Sequence, residues 1–376
     1  MKRRTFVMSG LGPLVLAACG GGDDDAPLAA TENATTLADG RESAAGYAIE
    51  REAFMFLEPV NGTESTGLAV NSRGQVTGWS GAGEAADIGT TLWSRGNARR
   101  FPTLGGFGSG SGASINEAGQ IVGHSTLSAT ESHATLWIGG RPIDLGSLNG
   151  ALASGATSIN TAGDIVGWSY IGPETPTPTH AILWHAGEMI DLGTLGGSVS
   201  GATDINNAGV IVGWSAADQV TGLHAALWRN GAVIDLGGLG GTVNYAYAIN
   251  DAGLIVGSSS LPDPQSGLRA VQWSGGTLTE LATLGGDRTI ARDVNNAGQI
   301  VGWSSYASDP NGHAILWDGN AAIDLNRYLD GATRNAGWYL ASAIGISDSG
   351  RVTGDAYNRV TGARRAYLLS LQRRHH

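Results

Sequence analysis

Residues 205–215 read INNAGVIVGWS. Near-copies stand at 70–80 (VNSRGQVTGWS), 115–125 (INEAGQIVGHS), 159–169 (INTAGDIVGWS), 249–259 (INDAGLIVGSS), 294–304 (VNNAGQIVGWS) and 346–356 (ISDSGRVTGDA). Anchored on Asn71, Asn116, Asn160, Asn206, Asn250, Asn295 and Ser347, the copies lie 45, 44, 46, 44, 45 and 52 residues apart. A period near 45 residues announces a repeat architecture and has to be interpreted before any local feature.

Each period holds four short strand-like runs. In the fourth copy ATDIN turns at NAG into VIVGWS, a polar loop leads to HAALW, RNG turns into AVIDL, and LGGLGG leads onward. Runs of about five residues with Gly or Asn at the joints predict antiparallel hairpins. Gly209 is expected at positive φ, which residues with a Cβ resist. Four strands per period is the content of one β-propeller blade. Four residues before the anchors stand Gly67, Gly112, Ala156, Ala202, Ala246, Ala291 and Ala343, as crowding at a propeller axis requires. Just before the anchors every residue is Val or Ile, which suits a packed strand. The last copy supplies only three strands, while EAFMFLEPVNG, upstream of the first copy, aligns with EMIDLGTLGG as a spare fourth. The expected fold is therefore all-β: a seven-bladed propeller of four-stranded blades over residues 46–371, its last blade closed by the N-terminal strand. Closure removes open sheet edges. A β-helix or open solenoid would want shorter rungs and capped ends. Residues 372–376 are expected to form a disordered tail.

The chain has 376 residues, with 60 Gly but only 11 Pro and 15% charged side chains, a composition for many turns and little helix surface. The formal charge of −11 argues against broad binding to nucleic acid or anionic lipid. The chain opens MKRRTFVMSGLGPLVLAACGGGDDD: cations, an apolar run too short to span a bilayer, small residues, and the only cysteine, Cys19. Residues 1–18 are expected to be a secretory signal and 19–45, rich in Gly, Asp, Ala, Thr and Ser, a flexible tether. Loss of Lys2, Arg3 and Arg4 with the signal would leave 19 basic against 33 acidic side chains. A single cysteine allows no intrachain disulfide.

Leu16-Ala17-Ala18-Cys19 resembles the lipobox of bacterial lipoproteins, which implies cleavage before Cys19 and a lipid on its thiol. Gly20 after it, where inner-membrane retention would want Asp, implies the outer membrane or cell surface. Arg3-Arg4 followed by Thr5 and Phe6 also resembles a twin-arginine signal, and the export route stays open. The repeated IN-x-AG-x-IVGWS, HA-x-LW and IDLGTLGG together resemble the HAF-type extracellular repeat family of bacteria over nearly all of the mature chain. That resemblance implies export and repetition, not a reaction. WD, kelch and sialidase patterns fit less well.

The repeated polar and aromatic residues read as architecture. Trp93, Trp137, Trp184, Trp228, Trp273 and Trp317 share a third-strand slot, and Trp79, Trp168, Trp214 and Trp303 a second-strand slot. Exposed Trp would suggest sugar stacking, but recurrence suggests packing between blades. His133, His180, His224 and His313 open the third strand, a slot that also takes Gly89, Arg269 and Arg365. Equivalent positions on different blades lie too far apart to share a metal. Asp144, Asp191, Asp235 and Asp324 recur as solvated or turn-bonding groups. Metal, phosphate-loop and nucleophile-elbow motifs are absent, so no catalytic residue, metal or cofactor is assigned.

What varies is the loop between second and third strands, and function on repeat scaffolds gathers where loops diverge. Tyr170, Glu174, Asp218, Asp263, Tyr306 and Asp309 mark that expected binding face. The function expected is that of a lipid-anchored, monomeric binding or scaffolding module for a protein or glycan. The alternative is an envelope polysaccharide lyase or glycoside hydrolase, with its site at the axis or at the seventh-copy seam. There the insert RYLDGATRNAGWYLAS brings Asp330, Arg334 and Trp338 near Asp355.

Overall fold

Each repeat becomes one antiparallel four-stranded sheet, and seven such sheets make a seven-bladed β-propeller. The computed structural model describes residues 47–82, 88–172, 178–217, 222–262, 267–319 and 321–375. Blade 1 runs Glu64–Val70, Val76–Gly81, Gly89–Ser94 and Asn97–Arg100, which are strands a to d from the axis outward. Blades 2 to 6 repeat this order, starting at Gly110, Ser154, Ser200, Asn244 and Thr289. Blade 7 takes strands a to c from Trp338–Ile346, Arg351–Asn358 and Arg364–His375, and its strand d from Tyr47–Leu57. The expected closure by the N-terminal strand is thus the observed one. Strand c of that blade continues past residue 371 to His375, opposite Tyr47, where the sequence reading places a disordered tail. The N-terminal strand begins far enough upstream to give those last residues a backbone partner.

There is no single core. Seven apolar clusters lie between neighbouring blades. Between blades 3 and 4, for example, Val166 and Ala181 of one pack on Ala202, Ile205, Ile211 and Trp228 of the next. The third-strand tryptophans fill these wedges, each at most 6% exposed. Four of them also donate the indole N–H backward, to the carbonyl at the outer-strand exit of the preceding blade: Trp93 to Glu58, Trp137 to Pro102, Trp184 to Leu145 and Trp317 to Ala282, at 2.7–2.9 Å. Those aromatic positions are therefore mortar between blades.

The junction from blade 7 to blade 1 uses the chemistry of the others. Ser154 accepts from the Ala134 N–H and donates to the Gly146 carbonyl, and Ser200 does the same with Ala181 and Gly193. Ser65 accepts from Ala366 and donates to Leu57, tying the two ends of the propeller together.

Candidate functional site

The anchor end of the ring is built by the repeat itself. Each anchor asparagine accepts backbone N–H groups from its own tight turn: Asn206 Oδ1 takes those of Ala208 and Val210. Its Nδ2 then donates to the anchor carbonyl of the next blade. This bond runs unbroken from Asn71 through Asn116, Asn160, Asn206, Asn250 and Asn295 to Ser347, at 3.1–3.3 Å. Ser347 has no amide to pass on. At that junction Arg351 and Ser349 donate to the Ser72 carbonyl instead. The anchors ring an axial cavity of about 200 Å³. Asp204 stands on its wall and bridges blades, accepting from Ser158 Oγ and from the Ile205 and Ile249 N–H groups. Asp293 bridges blades 6 and 7 in the same way, through Val294 and Ile346. Burial pushes Asp204 up to about 7, against its hydrogen bonds and with help from the Asp293 charge. Burial likewise pushes Asp293 up to about 6.

The opposite end carries the loops between strands b and c. The histidine that opens strand c bonds the aspartate that ends strand d: His133 with Asp144, His180 with Asp191, His224 with Asp235 and His313 with Asp324, at 2.8–3.1 Å. The same aspartates accept the N–H two residues on, at Gly146, Gly193, Gly237 and Asn326. In blade 5 the pair is Arg269 with Glu280, and in blade 7 Arg365 with Glu58. The slot therefore holds a cross-strand pair whose members change together, which explains why it accepts arginine as well as histidine.

Among the described residues, it is at the seam of blades 6 and 7 that this plan gains extra chemistry. The 52-residue spacing inserts a 3₁₀ turn, Leu325–Tyr328, and a short helix, Gly331–Asn335, before strand a of blade 7. A cavity of about 220 Å³ opens there, lined by His313, Asn326, Arg334, Gly337, Trp338, Tyr339 and Arg359. Asp324 accepts from Tyr306 Oη at 2.9 Å as well as from His313 and Asn326. Burial works to raise the Asp324 carboxyl, but the His313 and Asn326 bonds hold it below the usual range. Asp309 is paired with Arg359 and lies 3.7 Å from His313 Nε2. Burial works to raise Asp309 as well, and the Asn311 N–H, Arg359 and His313 together hold it down. The Arg359 guanidinium lies 4.4 Å from the Tyr339 ring centroid, and Trp338 is backed by Phe56 at 4.6 Å.

Of the six residues expected on a binding face, the structure brings Tyr306 and Asp309 together, paired at the b–c turn of blade 6 and both beside His313 of the cavity wall. Tyr170 sits at the end of strand b in blade 3, three blades away, with its ring 5.8 Å from Trp168. Glu174, Asp218 and Asp263 lie outside the described residues, as does Cys19. The seam carboxylates of the enzyme alternative do not meet in the cavity. Asp330 caps the short helix through the Thr333 N–H and lies 3.8 Å from Arg51. Asp355 pairs with Arg364 within blade 7 at 2.8 Å. Of that set only Arg334 and Trp338 line the cavity. Sequence reasoning missed Asn326, Tyr339 and Arg359 and assigned His313 to architecture alone. The long sixth spacing was the available signal for the first two. Arg359 reaches the site from the b–c turn of blade 7, so only the packing of that blade against blade 6 reveals it.

Among the described residues no group of three or more His, Cys, Asp or Glu is placed to hold a metal, and no helix is long and apolar enough to cross a membrane. No protein-family model and no curated protein matches the chain. Similar solved structures include TolB from Acinetobacter baumannii, at 12% identity and TM-score 0.44, over 82% of this chain and 64% of that one. A puromycin-hydrolyzing peptidase of Mycobacterium tuberculosis is similar at 13% identity and TM-score 0.49, over 84% and 56%. The Aleuria aurantia lectin, in complex with Fucalpha1-6GlcNAc, is similar at 11% identity and TM-score 0.36, over 85% and 96%. The chain thus spans less than two thirds of the length of the first two.

Proposed function

We propose that this chain is an exported, lipid-anchored binding module of the HAF-type repeat family, which presents the loop-bearing end of a rigid ring to a glycan or protein outside the cell. Export and anchoring rest on the signal-like residues 1–18 and on Cys19. One observation carries the binding reading. The repeated residues are consumed in holding blades together, and the insert after blade 6 breaks the pattern and lines a cavity with Arg334, Trp338 and Tyr339, which Arg359 joins from the b–c turn of blade 7. A scaffold that needed only to be a ring would have no use for that insert. At the seam the partners of Asp309 and Asp324 hold both carboxyls below their usual range, which disfavours either as the general acid of a glycoside hydrolase there.

The test is a glycan array and a pull-down from envelope extract with the mature chain. Specific capture that is lost when the seam insert is shortened to the length of its counterparts supports the reading. Silence in both assays refutes it. Anchoring is tested separately: Cys19→Ala should move the protein from the membrane to the soluble fraction, and unchanged fractionation would refute lipidation.

A further inference from the structure

We infer that the cavity between blades 6 and 7 is a subsite for one acidic sugar of a glycan, a hexuronate whose carboxylate is taken by Arg334. This rests on the binding-module reading and names the ligand class for it. The charges decide the class. Two guanidinium groups, Arg334 and Arg359, border the cavity. Arg359 is already matched by Asp309. Arg334 is exposed on the last turn of the short helix and has no acidic partner among the described residues. The neighbouring carboxylates are occupied elsewhere: Asp324 by His313, Tyr306 and Asn326, and Asp330 by the helix start and Arg51. An unmatched guanidinium at the mouth of a cavity is a planar fork of donors, and a carboxylate is the anion that fits it bidentately.

The rest of the wall selects a sugar ring as the carrier of that carboxylate. Trp338 and Tyr339 are half-buried and offer ring surface to the cavity, and pyranose C–H faces pack on such surfaces. Both rings are held in place, Trp338 by Phe56 and Tyr339 by Arg359 on one side and His313 at 5.7 Å. Asn326 is spent on bracing the wall: it accepts from the Leu340 N–H and donates to the Leu340 carbonyl. Such pre-set walls lower the ordering cost of binding. A volume of about 220 Å³ is below the usual range for drug-sized ligands, about 300–1,000 Å³, and suits one ring of a longer chain. With one unmatched cation, the site is built for a single negative charge and not for a polyphosphate.

The experiment is calorimetric titration of the mature chain with trisaccharides of galacturonate, glucuronate and mannuronate, each beside its carboxyl-reduced neutral counterpart. At least one acidic member should bind about tenfold more tightly than its neutral form, the size of one charge-assisted contact. Arg334→Gln should bring the acidic form down to the affinity that variant shows for the neutral form, Arg334→Lys should restore part of the preference, and Trp338→Ala should weaken both forms. Far-ultraviolet dichroism of each variant checks that the ring is intact. Equal affinity for acidic and neutral forms, no binding of any of them, or a preference that survives Arg334→Gln overturns the assignment. If these sugars fail while other glycans or proteins are captured through the seam, only the ligand class falls. If the array and the pull-down are silent as well, the binding-module reading falls with it.

Discussion

Asn206 shows how much one side chain of the repeat has to do. Its oxygen closes the tight turn through two N–H groups, and its nitrogen crosses to the Asn250 carbonyl of the next blade. The residue is buried, so truncation strands several partners at once, and such losses exceed the net worth of one hydrogen bond. Asn206→Ala is expected to cost about 2–3 kcal/mol in denaturant unfolding. Asn206→Asp keeps the acceptor and loses the crossing donor, so it should cost more than nothing and less than the alanine; a larger loss for Asp would contradict this division of labour. Asp204, two residues earlier, makes a prediction in pH. Its carboxyl sits near 7 in the folded chain against 3.8 ordinarily, so between those values the folded chain holds a proton the unfolded chain has released. Stability from this group is therefore present on the acid side and is lost as pH rises through about 7. Asp204→Asn should raise the melting temperature at pH 8, by the equivalent of roughly 2–4 kcal/mol, and the gain should shrink as pH falls and vanish only below about pH 4. An equal gain at both would rule the proton out. His124, which stands where four blades have Trp, pulls the other way: burial lowers it to about 4 from 6.5, so its contribution is lost as pH falls through that window. The anchor position was legible as a repeat, but the ring bond was not, because a carbonyl about 45 residues away leaves no mark in the local sequence.

Within a blade, the decisive contact is between strand a and strand b. Strand a of blade 4 shifts register between Ala202 and Asp204, and the bulge pushes the Gly201 carbonyl toward strand b. A Cβ on Gly213 would lie inside the radius of that carbonyl oxygen, and the equivalent glycines of the other six blades face the same obstacle. Gly209 differs: its φ of +75° disfavours a side chain, but the space around it is open. Gly213→Ala should therefore cost about 2–3 kcal/mol and Gly209→Ala about 1 kcal/mol, read from denaturant midpoints of the two single variants. The reverse order would mean that backbone conformation, not the bulge, fixes the glycine. Here the sequence was readable on both counts, since glycine has few reasons to recur seven times at one strand position. The final serine of the phrase was less so. Ser215 accepts the Leu195 N–H from the connector out of blade 3, as Ser169 does for Leu148 and Ser259 for Leu239. Thus the GWS and LGG signatures, far apart in each copy, are two halves of one contact between blades. The seam site was legible only as a long spacing, because its residues come from an insert and from a turn of a different blade.

At the scale of the whole molecule, stability depends on the ring being closed. Each blade buries its faces against two neighbours, so an open ring would lose one wedge and leave two faces exposed. Closure rests on the N-terminal strand, which pairs through ten residue pairs with Arg364–His375 and places Leu57 in the cluster with Val70, Val76 and Trp93 of blade 1. Two crossings fasten the same joint, the Trp93 indole to the Glu58 carbonyl and Ser65 to Leu57. On the anchor side the bond ring is interrupted at Ser347, and the junction of blades 7 and 1 relies there on Arg351 reaching Ser72. That junction opens once the N-terminal strand leaves blade 7, with no covalent connector to break, so it is expected to open first. Removing residues 47–57 should abolish the single cooperative melt and promote association through the bare edge of blade 7. Moving the same eleven residues to follow His375 through a short turn restores an antiparallel neighbour for strand c, because the strand needs only to lie beside it, whatever its place in the chain. Such a permuted chain should regain a cooperative transition within a few degrees of the parent, measured by calorimetry at several scan rates. If the truncated chain melts as the parent does, strand d of blade 7 is dispensable and strands a to c of that blade suffice to close the ring. If the truncation fails and the permuted chain fails too, connectivity at the joint matters beyond the pairing itself.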